Sequence, residues 1–245
     1  MPIGAVEIKV NVVGGDLEKA SHEFGLAPGA GRRGSVYFCE DVSEVLSPST
    51  PLLDSGVLLR ARDFPGDDSD STVKLRPCRM SQLAGDWLGA AHGNGWKYKV
   101  EADWSGPRKV LAASCTAERP DGRIAAVRSG AKPIESLFGP DQERFLLDCA
   151  AIRVNLRALT LLPPIAATRW EPFDVEGLSV VAERWAVGDR LDFLELSIRV
   201  PAAEAAGAQR AFERLVRDHG IGMEPAQETK TRRVIEYLVT SAGGG

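Results

Sequence analysis

With 245 residues, 44% hydrophobic and 26% charged, the chain can bury a core large enough to stabilise itself and is not compositionally disordered. Thirty basic against thirty-four acidic side chains leave a formal charge of -4, so no global field draws it to nucleic acid or to an anionic membrane, and any anion site must be local. The start MPIGAVEIKV shows no signal peptide or membrane span, and Cys39, Cys78, Cys115 and Cys149 stand singly with no CxxC pair, which suits reduced thiols in a cytoplasmic protein of one domain, 1–245.

Residues 6–13 alternate, with Val6, Ile8, Val10 and Val12 on one face and Glu7, Lys9 and Asn11 on the other, as in a half-buried strand. Asp16 then caps a short helix, DLEKASHEF, that stops at Gly25. The stretch GAGRRG at 29–34 lacks the GK[ST] ending of a P-loop and reads as a mobile loop able to close over a ligand. Segments 36–38 and 56–64 are strands, and TVKLRP follows the acidic turn PGDDSDS as the second arm of a hairpin. Ser81 caps an expected helix through Trp87 and Leu88, after which WKYKVEADW alternates strictly, its apolar face formed by Trp96, Tyr98, Val100, Ala102 and Trp104.

Residues 110–128 read as two short strands around the turn RPDGR. Pro140 opens a helix, DQERFLLDCAAI, and IAATRW, LSVVAERW and DFLELSIRV are strands again. Pro201 is expected to start the best-patterned helix, whose stripe Ala208, Phe212, Leu215 and Val216 ends at Gly220. His22, His92 and His219 are scattered, with no serine or cysteine elbow, so a catalytic triad has little support. The tryptophans sit mostly on apolar faces, leaving single-strand nucleic-acid binding a third choice.

One pattern is chemical. Guanidinium and carboxylate groups recur at alternate positions strand after strand: Glu7 with Lys9, Arg60 with Arg62, Lys74 with Arg76, Lys99 with Glu101, and Glu195 with Arg199. On a single strand such a face is ordinarily solvated and ion-paired. If the faces converge they line a charged interior, in which arginines grip phosphate oxygens with paired donors and carboxylates call for a bridging divalent cation.

The order of these motifs resembles the CYTH family, also called triphosphate tunnel metalloenzymes, which begin with an ExExK strand and later carry paired arginines. AVEIK at 5–9 is similar to ExExK, LLRAR at 58–62 to the paired-arginine strand, TVKLRP to the lysine strand and YKVEADW to the next acidic strand. DQERFL is similar to a helix of bacterial members, TRW to the late arginine strand, VVAERW to the strand with a single acid, FLELS to ELE, and KTRR at 230–233 to the carboxy-terminal lysine segment. The resemblance implies an α+β fold, an antiparallel eight-stranded β-barrel forming a tunnel with flanking helices. It implies phosphate contacts from Lys9, Arg60, Arg62, Lys74, Arg76, Arg169 and Lys230, catalytic roles for Lys9, Glu101 and Glu183, and Mg2+ or Mn2+ held by Glu7, Glu195 and Glu183. The expected ligand is a triphosphate, polyphosphate or nucleoside triphosphate, with assembly as a homodimer left open. Two expected acids are replaced, by Ala5 and Ser197. The expected activity is therefore metal-dependent triphosphate hydrolysis, the alternatives being a binding protein that has lost turnover and an adenylate cyclase of the class IV type.

Overall fold

The computed structural model describes residues 4–42, 49–66, 69–89, 91–93, 95–188, 190–224 and 230–242. Its strands are β1 (Ala5–Val13), β2 (Arg32–Glu40), β3 (Val57–Asp63), β4 (Ser69–Cys78), β5 (Ala91–Gly93), β6 (Trp96–Ser105), β7 (Arg108–Arg119), β8 (Thr160–Leu161), β9 (Ile165–Val175), β10 (Leu178–Val187) and β11 (Leu191–Pro201). Its α-helices are α1 (Asp16–Glu23), α2 (Pro51–Asp54), α3 (Arg123–Arg128), α4 (Pro140–Cys149), α5 (Ala205–Asp218) and α6 (Lys230–Ala242).

The strands run in the order β1-β11-β10-β9-β2-β3-β4-β7-β6, and β6 returns to β1, closing a ring. Eight junctions are antiparallel; the closing one, β1 with β6, is parallel. The barrel thus has nine strands of mixed direction, where the resemblance implied eight antiparallel ones. The parallel seam follows from the count, since a ring with an odd number of strands cannot alternate direction all the way round. The two short strands lie outside the ring, β5 along the first half of β6 and β8 at the end of β2.

Alternation sorts each strand into an outer apolar face and a lumen face. The outer faces of β1, β10 and β11 (Val6, Ile8, Ala182, Leu194, Leu196) pack under α1 and α5. Those of β3, β4, β6 and β7 (Leu59, Val73, Tyr98, Cys115) pack under α3 and α4. A third cluster lies inside. Lumen-facing Val36, Phe38, Trp185 and Phe193 meet Val234, Ile235, Leu238 and Val239 of α6, so the last helix fills one end of the barrel with hydrocarbon. Among the described residues no helix is long and apolar enough to cross a membrane. All four cysteines are buried and free.

Four local expectations are corrected. The region 110–128 is one long strand, β7, followed by α3; its centre, Ala112, Ala113, Ser114, Cys115 and Thr116, is small on both faces and gives little period-two signal. The Ser81 helix is two 3-10 turns, Met80–Gln82 and Gly85–Leu88, parted where Gly85 takes φ +52. Pro201 ends β11 opposite Ala5, and the helix begins four residues later. Finally, 32–34 belong to β2, paired with β9, and do not form a mobile loop. Gly34 is required there: a Cβ would stand 2.5 Å from the Asp63 carbonyl oxygen and 2.6 Å from the Phe64 ring. Part of the acidic turn, 67–68, and part of HGNG lie outside the described residues.

Candidate functional site

The lumen opposite α6 is a cavity of about 290 Å³. Glu7 and Lys9 reach it from β1, Arg60 and Arg62 from β3, Lys74 and Arg76 from β4, and Lys99, Glu101 and Asp103 from β6. Arg169 comes from β9, Glu183 from β10, Glu195 and Ser197 from β11, and Lys230 from α6. Every candidate side chain of the sequence reading therefore lines one space. Ala5 is not among the lining residues, whereas Ser197 faces the lumen opposite Lys9. Eight cations meet five carboxylates in this lining, an excess of positive charge inside a protein whose net charge is negative.

Four of the five acids fall into two pairs made by strand register, and Glu101 stands apart with Lys99 and Arg199. Across the parallel seam Glu7 lies beside Asp103, and across the β10–β11 junction Glu183 lies beside Glu195. Adjacent like charges destabilise a sheet unless cations intervene, and each pair has its own.

Asp103, only 3% exposed, takes Lys9 at 3.2 Å, Lys74 at 3.2 Å and Arg76 at 2.9 Å. Burial alone would raise its carboxyl, but these three cations hold it well below the usual range. Glu7 is brought down to about 2 against the same burial cost, chiefly by Lys9, 3.0 Å away, and Lys74. The two lysines respond oppositely. Lys9, facing Asp103, Glu7 and Glu195, is driven above the ordinary lysine value in spite of burial. Lys74 is lowered to about 8, because burial and the repulsion of Lys9 and Arg76 outweigh Asp103.

At the other pair Lys230 bridges, with Nζ 3.1 Å from Glu183 Oε2 and 3.3 Å from Glu195 Oε1. It also sits 4.2 Å from the centre of the Trp185 ring, whose Nε1 donates to Glu183 Oε1 at 2.9 Å. Burial raises the Glu183 carboxyl, but Lys230, the Trp185 bond, Arg60 and Arg62 together bring it to about 2.

The arginines are less well matched. Arg62 is held by Asp70, Nε to Oδ2 at 2.9 Å. Arg60 donates one long bond to Thr72 Oγ1 at 3.3 Å, and its buried Nε has no partner among the described residues. Burial, then the like charge of Arg62, lowers Arg60 to about 10. Arg169 stands in register with Glu183, and no hydrogen bond or ion pair to it is found among the described residues. An under-satisfied guanidinium facing a cavity is a ready anion clamp.

The metal ligands implied by the resemblance, Glu7, Glu195 and Glu183, do not fit a resident divalent ion. Glu183 has both oxygens engaged, by Trp185 and Lys230, and Lys230 and Lys9 occupy Glu195 and Glu7. Among the described residues no three acidic, histidine or cysteine side chains are grouped to hold a metal. Asp103 is the site residue that the sequence reading passed over. Its signal was present, since it continues the lumen face of β6 two residues after Glu101.

No family model matches this sequence, and no curated protein does. Among solved structures, an adenylate cyclase candidate from Bacillus halodurans superposes with a TM-score of 0.60 at 12% identity, over 94% of this chain and 98% of that one. An adenylyl cyclase candidate from Hippeastrum, whose triphosphatase activity is described as dominant, superposes with a TM-score of 0.59 at 13% identity, over 98% of this chain and 96% of its own.

Proposed function

On the premise that the chain carries the CYTH tunnel fold, we propose that it binds a triphosphate, either inorganic or attached to a small organic group or nucleoside, in the charged half of its barrel. The observation that carries this is Arg60: a part-buried guanidinium whose enclosed Nε has no partner among the described residues, beside Arg62 and facing a lumen with more cations than carboxylates. An apolar ligand would leave those donors unpaired, and a monovalent anion would use few of them. A short chain of phosphates offers each arginine a pair of oxygens and each lysine a point charge.

In this reading Arg60 and Arg62 on β3 grip the phosphates together with Lys74 and Arg76 on the neighbouring β4 and Arg169 on β9, and Lys9 moves between Asp103 and the ligand. Glu7 and Asp103 keep the cations in place when the lumen is empty. Titration calorimetry with tripolyphosphate tests it. Arg60→Ala removes charged hydrogen bonds of about 1.5–3 kcal/mol and weakens binding roughly 10- to 150-fold. Absence of tripolyphosphate binding by the native chain would refute the proposal.

Hydrolysis of the bound triphosphate is the second reading, favoured by the triphosphatase activity of the Hippeastrum protein of similar fold. Phosphate release from tripolyphosphate and ATP, with and without Mg2+ or Mn2+, separates it from binding alone. Release abolished by Arg60→Ala supports turnover in the tunnel, tight binding without release supports a binding protein, and cyclic AMP from ATP identifies cyclisation.

A further inference from the structure

We propose that the ammonium of Lys230 is the tunnel's resident cation at the Glu183–Glu195 pair, a tethered side chain in the place where a divalent ion would lie, so that polyphosphate is taken up without a metal. The last clause rests on the triphosphate reading; the assignment of the cation does not.

Glu183 and Glu195 are direct neighbours on β10 and β11, with both side chains turned into the barrel. Two carboxylates so placed repel unless one is protonated or a cation bridges them. The bridge present is Lys230, 5% exposed and within hydrogen-bond reach of one oxygen on each acid. Its position is fixed from three directions. The Trp185 ring supports the ammonium from one side, and the Trp185 Nε1 bond orients Glu183. The packing of Val234, Ile235 and Leu238 inside the barrel anchors the helix from which Lys230 projects. A hydrated ion entering this position must displace a charge that cannot diffuse away.

The charge balance agrees. An ammonium carries half the charge of a divalent ion and needs fewer carboxylates around it. Ser197, on the same lumen wall as Glu195, adds none. The remaining negative charge of the pair is met by Arg60 and Arg62, both of which act on Glu183. A phosphate chain arriving beside this pair meets acids already bridged by Lys230, and draws Arg60 and Arg62 toward itself.

The test is Mn2+ titration, followed calorimetrically and by electron paramagnetic resonance, on the native chain, on Lys230→Met and on Lys230→Met with Glu195→Gln. Methionine keeps the apolar stem over Trp185 and removes the charge. The native chain is expected to show no saturable Mn2+ uptake, Lys230→Met to gain a site at least about tenfold tighter than any native uptake, and the double variant to lose it. A folded Lys230→Met that gains no site overturns the assignment. Saturable uptake by the native chain, without polyphosphate, overturns it whether or not the variant folds. Tripolyphosphate affinity of the native chain in EDTA is expected to match that in Mg2+ within about twofold, and a requirement for Mg2+ of about tenfold or more overturns the metal-free clause. Binding under neither condition sinks the triphosphate reading, while the Mn2+ titration still decides the role of Lys230.

Discussion

Asp103 is the most exacting place to test the electrostatic account. Replacing it with Asn keeps the shape and one acceptor oxygen, but removes the single carboxylate on which Lys9, Lys74 and Arg76 converge. Glu7, with Glu195 acting on Lys9, then stands beside three part-buried cations. Stripping one partner from a buried ionic cluster costs about 3–5 kcal/mol, and the retained acceptor favours the lower end. For a protein of this size that lowers the melting temperature by roughly 6–12 °C. Glu101→Gln is the control, because the partners of Glu101 are Lys99 and Arg199, 44% and 57% exposed, and its loss should cost no more than about 1 kcal/mol. Urea unfolding of the two variants, with and without tripolyphosphate, is the assay. The ligand should stabilise Asp103→Asn more than it stabilises the native chain, since the cations freed from the aspartate are then available to phosphate. The reasoning fails if Asp103→Asn is as stable as Glu101→Gln, or if polyphosphate stabilises it less than the native protein.

Two further outcomes follow from other residues. Because Lys74 is lowered to about 8, it is charged below that pH and neutral above it, and a bound phosphate must return its proton. Tripolyphosphate affinity should fall by up to about tenfold per pH unit above that value, and Lys74→Met should flatten the profile in calorimetry; a native affinity that rises with pH would contradict it. Gln142 on α4 is fully buried and pins the helix to the barrel, donating to the carbonyls of Ser71 and Cys115 and accepting from Arg119, so Gln142→Ala should cost roughly 3 kcal/mol in urea unfolding while leaving tripolyphosphate affinity unchanged.

The charged faces were legible in the sequence because strand alternation is local: Glu7 and Lys9, or Arg60 and Arg62, reveal a shared face without knowledge of any partner strand. The convergence of those faces was not local and came only with the order of motifs. Asp103 went unremarked because its importance lies entirely in Lys9, Lys74 and Arg76, which reach it from two other strands. The reading of 110–128 as two short strands failed at β7, where alanine, serine and threonine fill both faces of a stretch crowded between β4 and β6. The bridging role of Lys230 could not be read at all, since nothing in KTRR says which carboxylates a final helix will meet. Gly34 misled for a related reason: a glycine that admits a close neighbour looks, in sequence, like a glycine that loosens a loop.

On the triphosphate reading, the hydrocarbon that α6 packs into one end of the barrel leaves a phosphate chain the other end to enter by. A polymer cannot be threaded through such a space; it can be met only at a terminus, and whatever enters must leave by the same mouth. The protein would then read ends rather than interiors: a long polyphosphate would count as two binding sites however many residues it contains, and a ring of phosphates, which has no end, would be excluded by shape before charge is consulted.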